Sequence, residues 1–172
     1  SNLMFVIPVR VGGSRSPGGV QANKIVLNDA VNLRNKLSGE AEVSAVVQRS
    51  ATVKYGNKSD KGVSISGVEA NFPKIITSLK LSAGRFLTAS EAESAKRVAV
   101  IGPTVVVNAF NNNSALGKYL LVDGQRYLVI GILQSRGSAF GMDQDNAIYV
   151  PLLAAQRQFG ITNLNAIYIN AK

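Results

Sequence analysis

Two pairs of carboxylates are the first candidates for chemistry in this chain: Asp143 with Asp145, and Glu91 with Glu93. A pair at that spacing can hold a divalent cation or divide the roles of acid and base. Both pairs sit among loop or helix-cap residues, where acidic side chains serve turns and helix dipoles. The ligand pattern of a calcium loop is missing around residues 143–145. Serines are plentiful, yet none has a Lys three residues later and none sits in a Gly-x-Ser-x-Gly elbow. Histidine and cysteine are both absent. That removes the commonest general base, the imidazole and thiolate metal ligands, disulfides and every Ser-His triad. No catalytic, cofactor-binding or metal-binding residue is assigned, and no cofactor is expected. The triplets Asn57-Lys58-Ser59 and Asn112-Asn113-Ser114 fit the glycosylation pattern, which is common by chance.

The formal charge is +9 over 172 residues. Arg49, Lys54, Lys58 and Lys61 form the densest basic stretch, with Tyr55 as the one aromatic among them and no Trp anywhere. Nucleic-acid sites pair basic groups with stacking aromatics, so a nucleic-acid partner is not expected. The stretch reads as a solvated hairpin surface, with attraction to anionic lipid headgroups or an acidic partner as the second reading. Residues 12–19, rich in Gly and Ser, lack the closing Gly-Lys-Ser/Thr of a phosphate loop and read as a flexible connection that can touch a partner.

The elements that must position these groups follow from periodicity. The most apolar stretches, residues 3–9, 98–107 and 147–155, fall far short of the ~18–20 residues needed to span a bilayer. Residues 2–11 read as a strand that Pro8 pushes to an edge or ends. Asn28 or Asp29 caps a helix running to about Leu37. Alternation over residues 42–68, broken by the cluster 56–60, predicts an antiparallel hairpin with one wet face. Phe72, Ile75, Ile76 and Leu79 sit at helical spacing. Thr88 or Ser90 opens another helix, and Ser90 with Glu93 matches a capping box. Residues 97–101 are a buried strand, and Gly102-Pro103 opens a helix. Asp123-Gly124 between two alternating runs is a tight hairpin turn. Residues 137–145 form a polar loop, 146–150 a strand, 151–159 a helix begun by Pro151, and 165–169 the last strand. Strands and short helices alternate without long βαβ spacing, so an α+β fold follows.

The order of several short pieces carries a resemblance. Gly84-Arg85-Phe86-Leu87, Val98-Ala99-Val100-Ile101-Gly102, Leu116-Gly117-Lys118, Val129-Ile130-Gly131 and Ala147-Ile148-Tyr149-Val150-Pro151 follow one another. Ser1-Asn2-Leu3, Leu27-Asn28-Asp29-Ala30, Val43-Ser44-Ala45-Val46, Ser66-Gly67-Val68 and Phe72 precede them. Together, over residues 1–172, they resemble the periplasmic core domain of MacB-like ABC transporter permeases, a MacB/FtsX-type family. Val9-Arg10 stands where relatives often carry a Gly, and Asn111-Asn112 interrupts their usual Phe-Gly. Physically the pieces are turns, strand cores and helix starts. Gly84 and Gly102 allow sharp turns, and Gly131 marks a bulge or a close approach.

The resemblance implies a two-lobed α+β domain, one lobe porter-like and the other an inserted α/β lobe at about residues 69–150, with the closing C-terminal part of the porter-like lobe missing. It implies a non-catalytic domain on the periplasmic face of the bacterial inner membrane, anchored by transmembrane helices outside this chain. It implies that the domain couples ATP-driven motion to export. The implied partners are a membrane-fusion adaptor or exported cargo, the ATP-binding subunit or domain of the parent transporter, and a second copy in a homodimer. A lipoprotein-releasing or cell-wall-hydrolase-regulating permease, and a stand-alone ligand-binding protein or hydrolase, are the alternatives. Function is expected on the loops 12–19 and 137–145 rather than on the motifs.

Overall fold

Period-two runs of β-branched residues build most of the fold. The computed structural model describes residues 4–8, 25–111, 114–139 and 141–171. The loop 12–19, the outer parts of the first predicted strand, and Asn112-Asn113 lie outside them. The chain opens with β1 (Met4–Pro8), α1 (Leu27–Lys36), β2 (Ala41–Tyr55) and β3 (Lys58–Val68). Then come α2 (Phe72–Ile75), β4 (Leu81–Gly84), α3 (Ala89–Glu93), β5 (Val98–Ile101) and α4 (Pro103–Phe110). β6 (Tyr119–Val122), β7 (Gln125–Leu133), β8 (Ser138–Ala139) and β9 (Met142–Asp143) precede β10 (Ala147–Pro151), α5 (Leu152–Phe159) and β11 (Ala166–Ala171).

Nine strands make one mixed sheet in the order β1-β11-β2-β3-β10-β5-β7-β4, and β6 joins β2 to β7. Strands β2, β3, β10, β5, β7 and β6 therefore close a ring. β3 with β10 and β5 with β7 are parallel; the other pairs are antiparallel. An α+β architecture is what the alternation predicts. The ring encloses one apolar cluster, with Val53, Ile65, Ile101, Leu120, Tyr127 and Ile148 at its centre and Val105 of α4 and Leu152 of α5 packed in. A second cluster on the other face joins Val46, Val68, Val100 and Tyr149 to Phe72 and Leu87.

Several predicted details shift. Residues 43–47 of β2 are buried on both faces, because the two clusters meet there, so the hairpin is wet only in part. The turn is Gly56-Asn57 alone, and Lys58, Ser59 and Asp60 already pair in β3. α1 starts at Leu27, and Asp29 caps it from its third position by accepting from Val26 N–H. α2 stops at Ile75 although the apolar spacing runs on to Leu79. α3 is capped by Thr88 and Glu91 rather than Ser90 and Glu93. The loop 137–145 contains its own small pair, β8 with β9.

Three glycines explain why the chain can cross itself closely. Gly84 has φ +73°, and a Cβ there would lie 2.2 Å from the Ile130 carbonyl oxygen. A Cβ on Gly131 would lie 2.3 Å from the Arg85 oxygen, next to the register shift between β5 and β7. Gly102 has negative φ, so its role is close approach rather than a turn: a Cβ there would meet the Asp145 oxygen at 2.2 Å. Asp123 and Gly124 both have positive φ, as a tight hairpin of this type demands.

Candidate functional site

The carboxylate pairs serve the fold. Asp145 is buried and accepts from the Ser135 hydroxyl and, at 2.7 Å, from Arg136 N–H. Its own N–H donates to Asp143 Oδ1, and Asp143 Oδ2 accepts from the Thr104 hydroxyl. These bonds pin the 135–145 loop to the start of α4. Burial pushes the Asp145 carboxyl up, but Arg136 N–H, the Ser135 hydroxyl, Gly137 N–H and the Arg136 charge outweigh it and leave it below its ordinary value. Among the described residues no group of three or more carboxylates could hold a metal ion.

Glu91 and Glu93, by contrast, go separate ways. Glu91 is buried and gripped by the Arg85 fork, Nη1 at 2.7 Å from Oε1 and Nη2 at 3.0 Å from Oε2. It also accepts from Thr88 N–H and hydroxyl. The Arg85 hydrogen bonds, against the opposing pull of burial, and with help from Thr88, hold its carboxyl down at about 2. Glu93 instead lines a groove of 290 Å³ with Leu27, Arg34, Glu69, Asn71 and Leu152. Arg34 crosses that groove to Glu69 at 2.6 Å and also donates to Val43 O.

The basic stretch divides. Arg49 lies over the Phe159 ring at 4.5 Å and 4.0 Å from Asp123, so it belongs to α5 and the β6–β7 turn. Lys54 and Lys58 stay exposed near the turn. There Lys118, just before β6, sits over the Tyr55 ring at 5.8 Å, and Tyr55 stands edge-on to Phe110 with centroids 4.3 Å apart. Arg126 of β7 covers exposed Tyr119 at 4.1 Å. Sequence reasoning missed Lys118 and Arg126, which lie far along the chain. It also missed Arg34–Glu69 and Arg85–Glu91. The Thr88-x-x-Glu91 spacing was an available signal for the last of these.

No helix among the described residues is long and apolar enough to cross a membrane. In this α+β domain the Arg85–Glu91 pair and the Asp145 hydrogen bonds lock a helix cap and a loop. The model of the MacB-like periplasmic core domain matches residues 1–172. The macrolide export ATP-binding/permease protein MacB of Bdellovibrio bacteriovorus is 32% identical over 100% of this chain, which covers 26% of that protein. The MacB protein of Hyphomonas neptunium is 36% identical over 96% of the chain, covering 25% of its length. The pyoverdine export ATP-binding/permease protein PvdT of Pseudomonas aeruginosa is 33% identical over 86% of the chain and 22% of its own.

Two solved structures share the fold. The extracellular domain of the ABC-type transporter YknZ from Gram-positive bacteria superposes with a TM-score of 0.78 at 22% identity, over 100% of this chain and 84% of that one. The periplasmic region of MacB from Actinobacillus actinomycetemcomitans gives 0.76 at 21%, over 98% and 73%. The chain spans about a quarter of the length of the curated relatives it matches. It belongs to the MacB-like periplasmic core domain family, a domain of ABC transporter permeases.

Proposed function

We propose that this domain, itself non-catalytic, couples ATP-driven motion in its parent permease to export, through contacts with a periplasmic adaptor or with cargo. One observation carries the reading. Met4 of β1 pairs with Asn170 of β11, and Ala171 pairs with Ala41, so both ends of the described chain leave the same end of the sheet. A domain held between two transmembrane helices needs that arrangement. The ATP-binding subunit or domain, the membrane anchors and a second permease copy belong to this reading. The names of relatives speak of macrolide and pyoverdine export, so the cargo is not fixed by the fold.

We read residues 69–150 as an inserted lobe that shares one ring and one core with β2 and β3. Residues 69–150 leave β3 at Val68 and return as β10, parallel beside β3, as an inserted lobe would. The porter-like lobe would then be β1, α1, β2, β3, α5 and β11, with β1 at its open edge: Met4, Phe5, Val6 and Ile7 remain 37–54% exposed, and a groove of 350 Å³ lined by Ile7, Ile25, Leu33 and Ile167 runs beside it.

The test is to destabilise the domain inside the parent permease with Gly131→Val and measure ATP hydrolysis and export separately. Hydrolysis should persist while export falls to background. Export at the parental rate from a permease whose domain is demonstrably unfolded would overturn the coupling role.

A further inference from the structure

We infer that the end of the molecule formed by the Gly56-Asn57 turn, the start of β6 and the end of α4 is a docking surface for an acidic segment of a partner protein. The inference rests on the anchored-domain reading above. Four exposed cations lie toward that end from separate parts of the chain: Lys58 of β3 and Lys118 line one hollow, and Lys54 of β2 and Arg126 of β7 each pair with Leu121 of β6 from either side. None of the four takes part in an ion pair among the described residues, where the pairs involve Arg34, Arg49 and Arg85. The carboxylates on the same strands and turns are engaged. Asp60 accepts from Asn108, and Asp123 accepts from Thr52 N–H beside Arg49.

Two of the cations are held in place before anything binds. Lys118 rests over Tyr55 and Arg126 over Tyr119. A cation stacked on a ring loses less side-chain freedom on binding than a free one. Beside Lys58 and Lys118 lies a hollow of 230 Å³ floored by Tyr55 and Phe110. A carboxylate-bearing side chain fits that chemistry, its stem on the rings and its charge between the two ammonium groups.

Position selects a protein over a membrane. Met4, Ala171 and Ala41 mark one end of β2, and Tyr55 is at the other. At ~3.3 Å per residue, the strand between them is roughly 45 Å long. Anionic headgroups act over about a Debye length, ~10 Å, so a bilayer reached through the chain ends does not reach this patch. Nucleic acid fits less well, because Tyr55 and Phe110 pack edge-on against each other and Arg126 already stacks on one face of half-exposed Tyr119, so no row of free rings is offered to successive bases.

The experiment titrates the 172-residue chain with fluorescein-labelled decaglutamate and reads anisotropy. Saturable binding is expected. It should weaken by about tenfold or more in Lys58→Glu/Lys118→Glu and by less than about twofold in the distant control Lys36→Glu/Lys80→Glu. Lys58→Arg/Lys118→Arg should retain binding, and should the glutamate pair fail to fold, Lys58→Gln/Lys118→Gln replaces it. Absent binding, or equal loss in the control, would overturn the inference. So would tighter, Lys58/Lys118-dependent retention on phosphatidylglycerol vesicles or single-stranded DNA. A Ser59→Cys parent permease separates this from the anchored-domain reading. Labelling by an impermeant maleimide from outside the membrane, without decaglutamate binding, rejects the docking surface alone, whereas no labelling until the membrane is breached rejects the reading beneath it.

Discussion

Arg85 and Glu91 meet fork to fork, six residues apart in sequence, with the carboxylate buried and the guanidinium half in water. The pair ties the chain leaving β4 to the first turn of α3, and Thr88 adds two more hydrogen bonds to the same oxygen.

Glu91 predicts an acid-sensitive contribution to stability. Its carboxyl is held at about 2 in the folded chain against an ordinary value of 4.5. A depressed folded value means the contribution is present above about pH 4.5 and is lost as pH falls toward about 2. Because half-exposed Arg85 is screened by water, about 1–2 kcal/mol is expected rather than the full value of the shift. Thermal melts from pH 7 to 2.5 should show a shallower acid decline in Glu91→Gln than in the parent. Part of the slope remains in the variant, since Asp145 is depressed as well.

Tyr127 predicts the opposite limb. Burial pushes its phenol up to about 12, against the pull of Arg97. Between about pH 10 and 12 the unfolded chain loses that proton while the folded chain keeps it, so stability falls as pH rises through that window. Tyr127→Phe should flatten the alkaline decline. At pH 7 it should cost about 1–2 kcal/mol, because Gln158 Oε1 loses its donor while its Nε2 stays bound to Val122 O. Chemical denaturation at pH 7 and pH 11 checks both arms.

Gly131→Val should disrupt folding, since its first side-chain atom would overlap the Arg85 carbonyl on the chain just past β4. The loss is at least about 2 kcal/mol. Asp143→Asn, exposed and still able to accept from Asp145 N–H, should fall within about 1 kcal/mol of the parent. Equal melting temperatures for Gly131→Val and the parent would contradict the close-approach argument.

Gly84→Ala and Gly124→Ala form a graded pair. Both glycines have positive φ, but only at Gly84 would the added methyl strike backbone. Gly124→Ala should cost about 1 kcal/mol through its φ alone, and Gly84→Ala clearly more. Urea midpoints for the two variants rank them.

Local chemistry made much of the fold legible. Asp123-Gly124 announces its hairpin because few other residues accept two consecutive positive φ values, and Pro103 opens α4 because its missing N–H falls where no partner is needed. Where two local answers were equally good, a contact from outside the motif decided. Thr88-x-x-Glu91 and Ser90-x-x-Glu93 both fit a capping box, and Arg85 selects the first. The apolar spacing from Phe72 to Leu79 fits a longer helix than α2, whose last turn gives way to the approach of β4. The closure of the ring was out of reach, because it rests on Val53 and Lys54 meeting Val122 and Leu121 from some seventy residues away. The candidate docking surface was half visible. Lys54 and Lys58 are neighbours in sequence, whereas Lys118 and Arg126 arrive through that closure.

The antiparallel pairing of β1 with β11 has a mechanical meaning. Tension entering through Met4 and leaving through Ala171 pulls both strands from the same end, so their hydrogen bonds open one rung at a time, starting at Met4 and Asn170. The ring strands β2, β3, β10, β5, β7 and β6 each have a partner on both sides. A pull applied to the two chain ends would therefore open the β1–β11 ladder before it loads the closed ring that carries Tyr55.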